Sequence, residues 1–94
     1  MSERPPPRHG ARVELTRSHV DADVVRYRAV AAFAGQTSEG DASVGLADGA
    51  VTLTLDPPPP DGLSAFTVAV LRRLWAHRRD EPTPWPARVT RWRP

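Results

Sequence analysis

The sequence predicts an α+β fold: a small antiparallel sheet of four to five strands with one helix packed on one face, in the order β-β-β(-β)-α-β. Three observations carry that expectation. Apolar and polar residues alternate with period 2 in several short segments between positions 12 and 55, as they do along half-buried strands. The stretch 63–79 repeats its apolar residues with the period of an amphipathic helix, and one more alternating stretch follows it. Four consecutive prolines, Pro57 to Pro60, divide the strand region from the helix.

With 94 residues the chain is short for two independent cores, so one domain is expected over 11–94. The first ten residues, MSERPPPRHG, hold three consecutive prolines and no apolar pattern, which predicts a disordered, proline-rich arm. In 12–17, Val13 and Leu15 face one way and Arg12, Glu14 and Thr16 the other, giving a first strand. A second and longer strand over 24–34 sets Val25, Tyr27, Ala29, Ala31 and Phe33 against Arg26 and Arg28. The segment 35–41, GQTSEGD, reads as the turn of a hairpin because its glycines and short polar residues tolerate turn dihedrals.

Residues 42–46 and 50–55 are strand-like, and Ala47-Asp48-Gly49 between them forms a tight turn or a glycine bulge. Asp61 or Ser64 can cap the helix that follows. At 100° per residue, Leu63, Phe66, Val70 and Leu74 fall within about 80° of one another, and Leu71, Val68 and Trp75 widen that stripe. Arg78 and Arg79 stand in the last turn, where cations complement the helix dipole. Pro82 to Pro86 ends the helix, and 87–92 alternates as a final strand.

Composition excludes some chemistry. There is no cysteine, so disulfides, thiolate zinc sites, iron–sulfur ligation and a cysteine nucleophile are ruled out together. All 13 basic residues are arginine, and without lysine there is no Schiff-base chemistry. No signal peptide is recognisable after Met1, and no apolar run approaches the ~20 residues that span a bilayer, so a cytoplasmic protein without a membrane partner is expected. The charge is lopsided: residues 1–61 carry six Arg against nine Asp and Glu, whereas 62–94 carry seven Arg against Asp80 and Glu81.

That basic third is also where the three tryptophans lie, in RRLWAHRR, PWPAR and TRWRP. Guanidinium groups interleaved with aromatic rings suit phosphates and stacked bases. The candidate anion or nucleic-acid site is therefore Arg72, Arg73, Arg78, Arg79, Arg88, Arg91 and Trp92, on a non-enzymatic binding module. Its partner would be nucleic acid, a nucleotide or an acidic protein face. The alternative is a structural or accessory subunit that self-associates through an open sheet edge or through the helix flank bearing Val68 and Trp75.

Other constellations are weaker. His19, Asp21 and Asp23 alternate on an extended segment, but no third or fourth ligand accompanies them, and no metal or cofactor is assigned. Ser43, His77 and Asp48 contain the residue types of a hydrolytic triad without any nucleophile motif, and phosphate-cradling glycine patterns are absent, so no catalytic residue is assigned. Asp41-Ala42-Ser43-Val44-Gly45 resembles the DxSxxG signature of PilZ domains, yet its glycine stands one position early, and the chain is not assigned to that family.

Overall fold

A computed structural model describes residues 10–60, 62–80 and 84–93, without the side chains of Arg79 and Asp80. The arm expected over 1–9 and the candidate cap Asp61 lie outside the described residues. The elements are β1 (Ala11–Val20), β2 (Val24–Phe33), β3 (Gln36–Gly45), β4 (Val51–Asp56), α1 (Leu63–Asp80) and β5 (Arg88–Arg93). They form one antiparallel five-stranded sheet in the order β4-β3-β2-β1-β5, which leaves β4 and β5 at its two edges.

Residues directly opposite in an antiparallel pair share a face, so the register sorts the side chains. One face carries Val13 and Leu15, Val25, Tyr27, Ala29 and Ala31, Ala42 and Val44, and Val89, all of them buried. Helix α1 lies over this face, closest to β4 and β3. It closes the core with Leu63 and Leu71, while Phe66, Val70, Leu74 and Trp75 pack around them. Two residues escape the expected stripe. Thr67 sits at its centre, fully buried, because its hydroxyl donates to the Leu63 carbonyl 2.9 Å away and so enters the core with its polar atom satisfied. Ser38 is buried on the same face, its hydroxyl donating to the Pro57 carbonyl.

The hairpin between β2 and β3 is tighter than the sequence suggested. The turn is Ala34-Gly35 alone, with φ of 45° and 75°, and β3 begins at Gln36 opposite Phe33. Positive φ at both central residues is the mark of the two-residue type I′ turn, which matches strand twist. The polar stretch 36–41 belongs to a strand because alternate residues, Thr37, Glu39 and Asp41, face away from the helix. Ala34 pays for a backbone region that asparagine occupies more readily, so Ala34→Asn is expected to raise stability by up to about 1 kcal/mol, measured as a higher thermal midpoint.

A bulge between Arg17 and His19 shifts the end of β1. There Asp21 organises the connection to β2: one carboxylate oxygen accepts from the backbone N–H groups of Asp23 and Val24, and the other lies 2.7 Å from His19 Nε2. The hydrogen bond from His19, followed by those two backbone donors, holds the Asp21 carboxyl down at about 2. The alternating His19, Asp21 and Asp23 segment is thus a self-bonded turn, and no group of three metal-ligating side chains converges among the described residues. No helix among them is long and apolar enough to cross a membrane.

Candidate anion-binding rim

The candidate residues whose side chains are described do not form one surface. Alternation along β5 divides its share: Arg88 and Trp92 lie opposite Thr16 and Arg12 on the sheet face away from the helix, whereas Arg91 lies opposite Val13 on the helix side. Arg72 and Arg73 are exposed on α1 itself. Arg78 is committed inside the fold, with Nη1 donating to the Leu74 carbonyl at 3.1 Å and Nη2 to the Pro84 carbonyl at 3.2 Å. Its guanidinium also stacks over the Trp85 ring, 5.3 Å from the centroid. Arg79 belongs to α1, and its side chain lies outside the described residues.

The tryptophans divide in the same way. Trp75 is half-buried, and its indole N–H donates to the Leu46 carbonyl at 3.0 Å. Trp85 is half-buried against Tyr27, with ring centroids 6.4 Å apart. Tyr27 is itself buried and donates its hydroxyl to the Pro86 carbonyl at 2.7 Å, and burial pushes its pKa above the ordinary phenol value. Of the three, Trp92 is the exposed one, at 55% of its surface.

What remains is a basic rim along β5. Arg88 and Arg91 are exposed and Arg93 half-exposed, with Arg93 lying against Gly62 at the start of α1. Beside them in β1, Arg12 is a residue whose role the sequence did not disclose. It is only 6% exposed on the outer face, its guanidinium 5.5 Å from the Trp92 ring centroid and its Nε 3.6 Å from Glu14. Its long apolar stem can lie along the sheet while the charged end stacks on the indole.

Charge changes sign across the sheet. β3 and β4 carry Glu39, Asp41 and Asp56 and no arginine, β2 carries Arg26 and Arg28, and β5 carries three arginines and no carboxylate. Arg28 is drawn to the acidic side, 3.9 Å from Glu39 and 3.7 Å from Asp41. At about 4.8 Å per strand, β3 lies roughly 14 Å from β5, beyond the ~8 Å screening length of physiological salt. An anion at the β5 rim therefore feels the arginines there more than the carboxylates of β3 and β4, and Glu14, opposite Thr90 on the neighbouring strand, is a carboxylate that offsets them in part.

The supposed triad does not assemble. Ser43 is on the outer face of β3, whereas His77 is exposed on α1 on the opposite side of the sheet. Asp48 caps the β3–β4 turn, accepting from the Ala50 N–H at 3.0 Å. Of the PilZ-like positions, Asp41 and Ser43 share the outer face. No protein-family model, curated protein or solved structure matches the chain.

Proposed function

We propose that the protein is a non-enzymatic, cytoplasmic binding module that holds an anionic partner, nucleic acid or an acidic protein segment, along the β5 rim. The observation that carries this reading is the exposure of the edge-strand cations: Arg78 is held by carbonyls of the fold, whereas Arg88 and Arg91 are exposed on β5, Arg88 on the same sheet face as the exposed Trp92 and Arg91 on the helix side with Nη1 donating to the Thr90 carbonyl. Guanidinium forks on a rigid strand present paired donors to phosphate or carboxylate oxygens, and the indole supplies a surface for a base or an apolar side chain.

The reading narrows the sequence-based site from seven residues to Arg88, Arg91 and Trp92, with Arg93 and Arg12 added from the structure. Retention of the protein on an oligonucleotide or polyglutamate matrix at low salt is expected to fall sharply in the triple variant Arg88→Ala, Arg91→Ala, Arg93→Ala. The pair Arg72→Ala, Arg73→Ala is expected to elute close to the parent. Equal loss in both variants would mean that net charge, not the rim, is being read, and unchanged retention of the triple variant would overturn the proposal. Which of the two matrices holds the parent to higher salt assigns the partner class.

A further inference from the structure

We infer that two copies of this chain pair through β4, antiparallel across a two-fold axis at Leu53, so that their sheets become continuous. The Gly45 N–H donates to the Ala50 carbonyl, which turns the backbone of Ala50 toward β3. Alternation then points the N–H and C=O groups of Val51, Leu53 and Leu55 away from β3, along the free edge of the sheet.

The two edges are not equally protected. β5 carries three arginines, and its outward side is further occupied where Arg91 Nη1 donates to the Thr90 carbonyl at 2.9 Å. Charged residues and blocked backbone groups are how proteins keep an edge strand from pairing. β4, with the sequence VTLTLD, has one charge at its last residue and no proline or basic residue within it. An edge of that kind is a template for another strand.

The sequence of β4 also fits itself. With Leu53 opposite its own copy, Val51 meets Leu55 and Leu55 meets Val51 on the helix face, while Thr52 meets Thr54 and Thr54 meets Thr52 on the outer face. Over 51–55 each pair is apolar with apolar or threonine with threonine, which are favourable cross-strand combinations. Asp56 falls opposite Ala50, so no like charges meet. Val51, Leu53 and Leu55 are only half-buried in the single chain, although α1 lies closest to this strand. Pairing would bring the two helices side by side over those residues and cover them. The two β5 rims would stand at the far ends, roughly 40 Å apart at about 4.8 Å per strand, so this inference is independent of what they hold.

Sedimentation equilibrium of the full chain tests it, with the mass expected at twice the 10.3 kDa of one copy. Thr52 and Thr54 are exposed on the outer face, so Thr52→Lys, Thr54→Lys leaves the monomer fold intact while setting lysine opposite lysine twice. The dissociation constant is expected to rise about tenfold or more. Mixing that variant with Thr52→Glu, Thr54→Glu is expected to restore a dimer, now heterodimeric, because each lysine faces a glutamate. A parent that sediments at the single-chain mass at every concentration overturns the inference, as does a lysine variant that stays dimeric with native circular dichroism. Neither result bears on retention by the anionic matrices.

Discussion

Gly40→Ala is expected to leave no folded protein. Gly40 is in β3, opposite Leu55, and a methyl group added there would overlap the backbone carbonyl of Thr54 outright. The obstacle is main chain on the paired strand, not the end of a side chain that can swing away, so relief requires β4 to leave β3. Losing that pairing strips one strand from a sheet whose whole stability, for a domain of this size, is about 5 kcal/mol. The expected cost exceeds the ~4 kcal/mol that marks exceptional single substitutions. Gly35→Ala is the control: a methyl group at Gly35 meets nothing within 4 Å, and the cost of about 1–2 kcal/mol comes only from its positive φ of 75°. Far-UV circular dichroism and one-dimensional NMR should show native dispersion for Gly35→Ala and collapse for Gly40→Ala. A well-dispersed Gly40→Ala spectrum would contradict the close approach of β3 and β4.

The second large effect is at Trp75. Its ring covers Gly49 in the β3–β4 turn, and its indole N–H bonds to the Leu46 carbonyl, so one side chain ties α1 to the hairpin. Trp75→Ala is expected to cost about 3 kcal/mol, because a half-buried aromatic side chain is lost together with its hydrogen bond. Trp75→Phe keeps most of the ring and loses the donor, and is expected to cost about 1–2 kcal/mol. Urea denaturation followed by circular dichroism measures both. A Trp75→Ala midpoint equal to the parent's would show that the ring does not hold α1 to the turn. This use within the chain makes Trp75 a half-buried packing residue of the helix and not part of an exposed flank.

The sequence disclosed the fold well because most strands here are half-buried. Val25, Tyr27, Ala29, Ala31 and Phe33 announced β2 by strict alternation, and Val51, Leu53 and Leu55 announced β4. β3 was hidden in its first half because Ser38 and Gly40, on the helix face, are small where apolar residues would have been expected. Ser38 meets the Pro57 carbonyl, and Gly40 makes room for Thr54. A polar run with two small inward residues looks like a loop. Thr67 was missed for a related reason, since a threonine that donates to its own helix can occupy a core position and still read as polar.

The site was legible as a composition and not as a surface. Seven arginines and three tryptophans in the last third of the chain gave the chemistry, but RRLWAHRR belongs to a helix and RVTRWR to a strand at the sheet edge. Adjacency in sequence says nothing about which side of the sheet each reaches. Arg78 and Trp85 became packing partners because Pro84, Trp85 and Pro86 lie against the end of the helix and Tyr27, a placement that no local pattern encodes. Arg12 joined the rim only because β5 pairs with β1, a contact between residues some 80 positions apart.

The three indoles make the central proposal directly measurable. In a ¹⁵N-labelled sample titrated with a short mixed-sequence oligonucleotide and separately with polyglutamate, the Trp92 indole resonance and the backbone amides of 88–93 are expected to shift at low salt and to return as salt is raised. The Trp75 indole, bonded to Leu46, is expected to stay in place. Shifts that spare Trp92 and gather instead on Arg72 and Arg73, or no salt-sensitive shifts with either polyanion, would contradict the β5 rim as the binding surface.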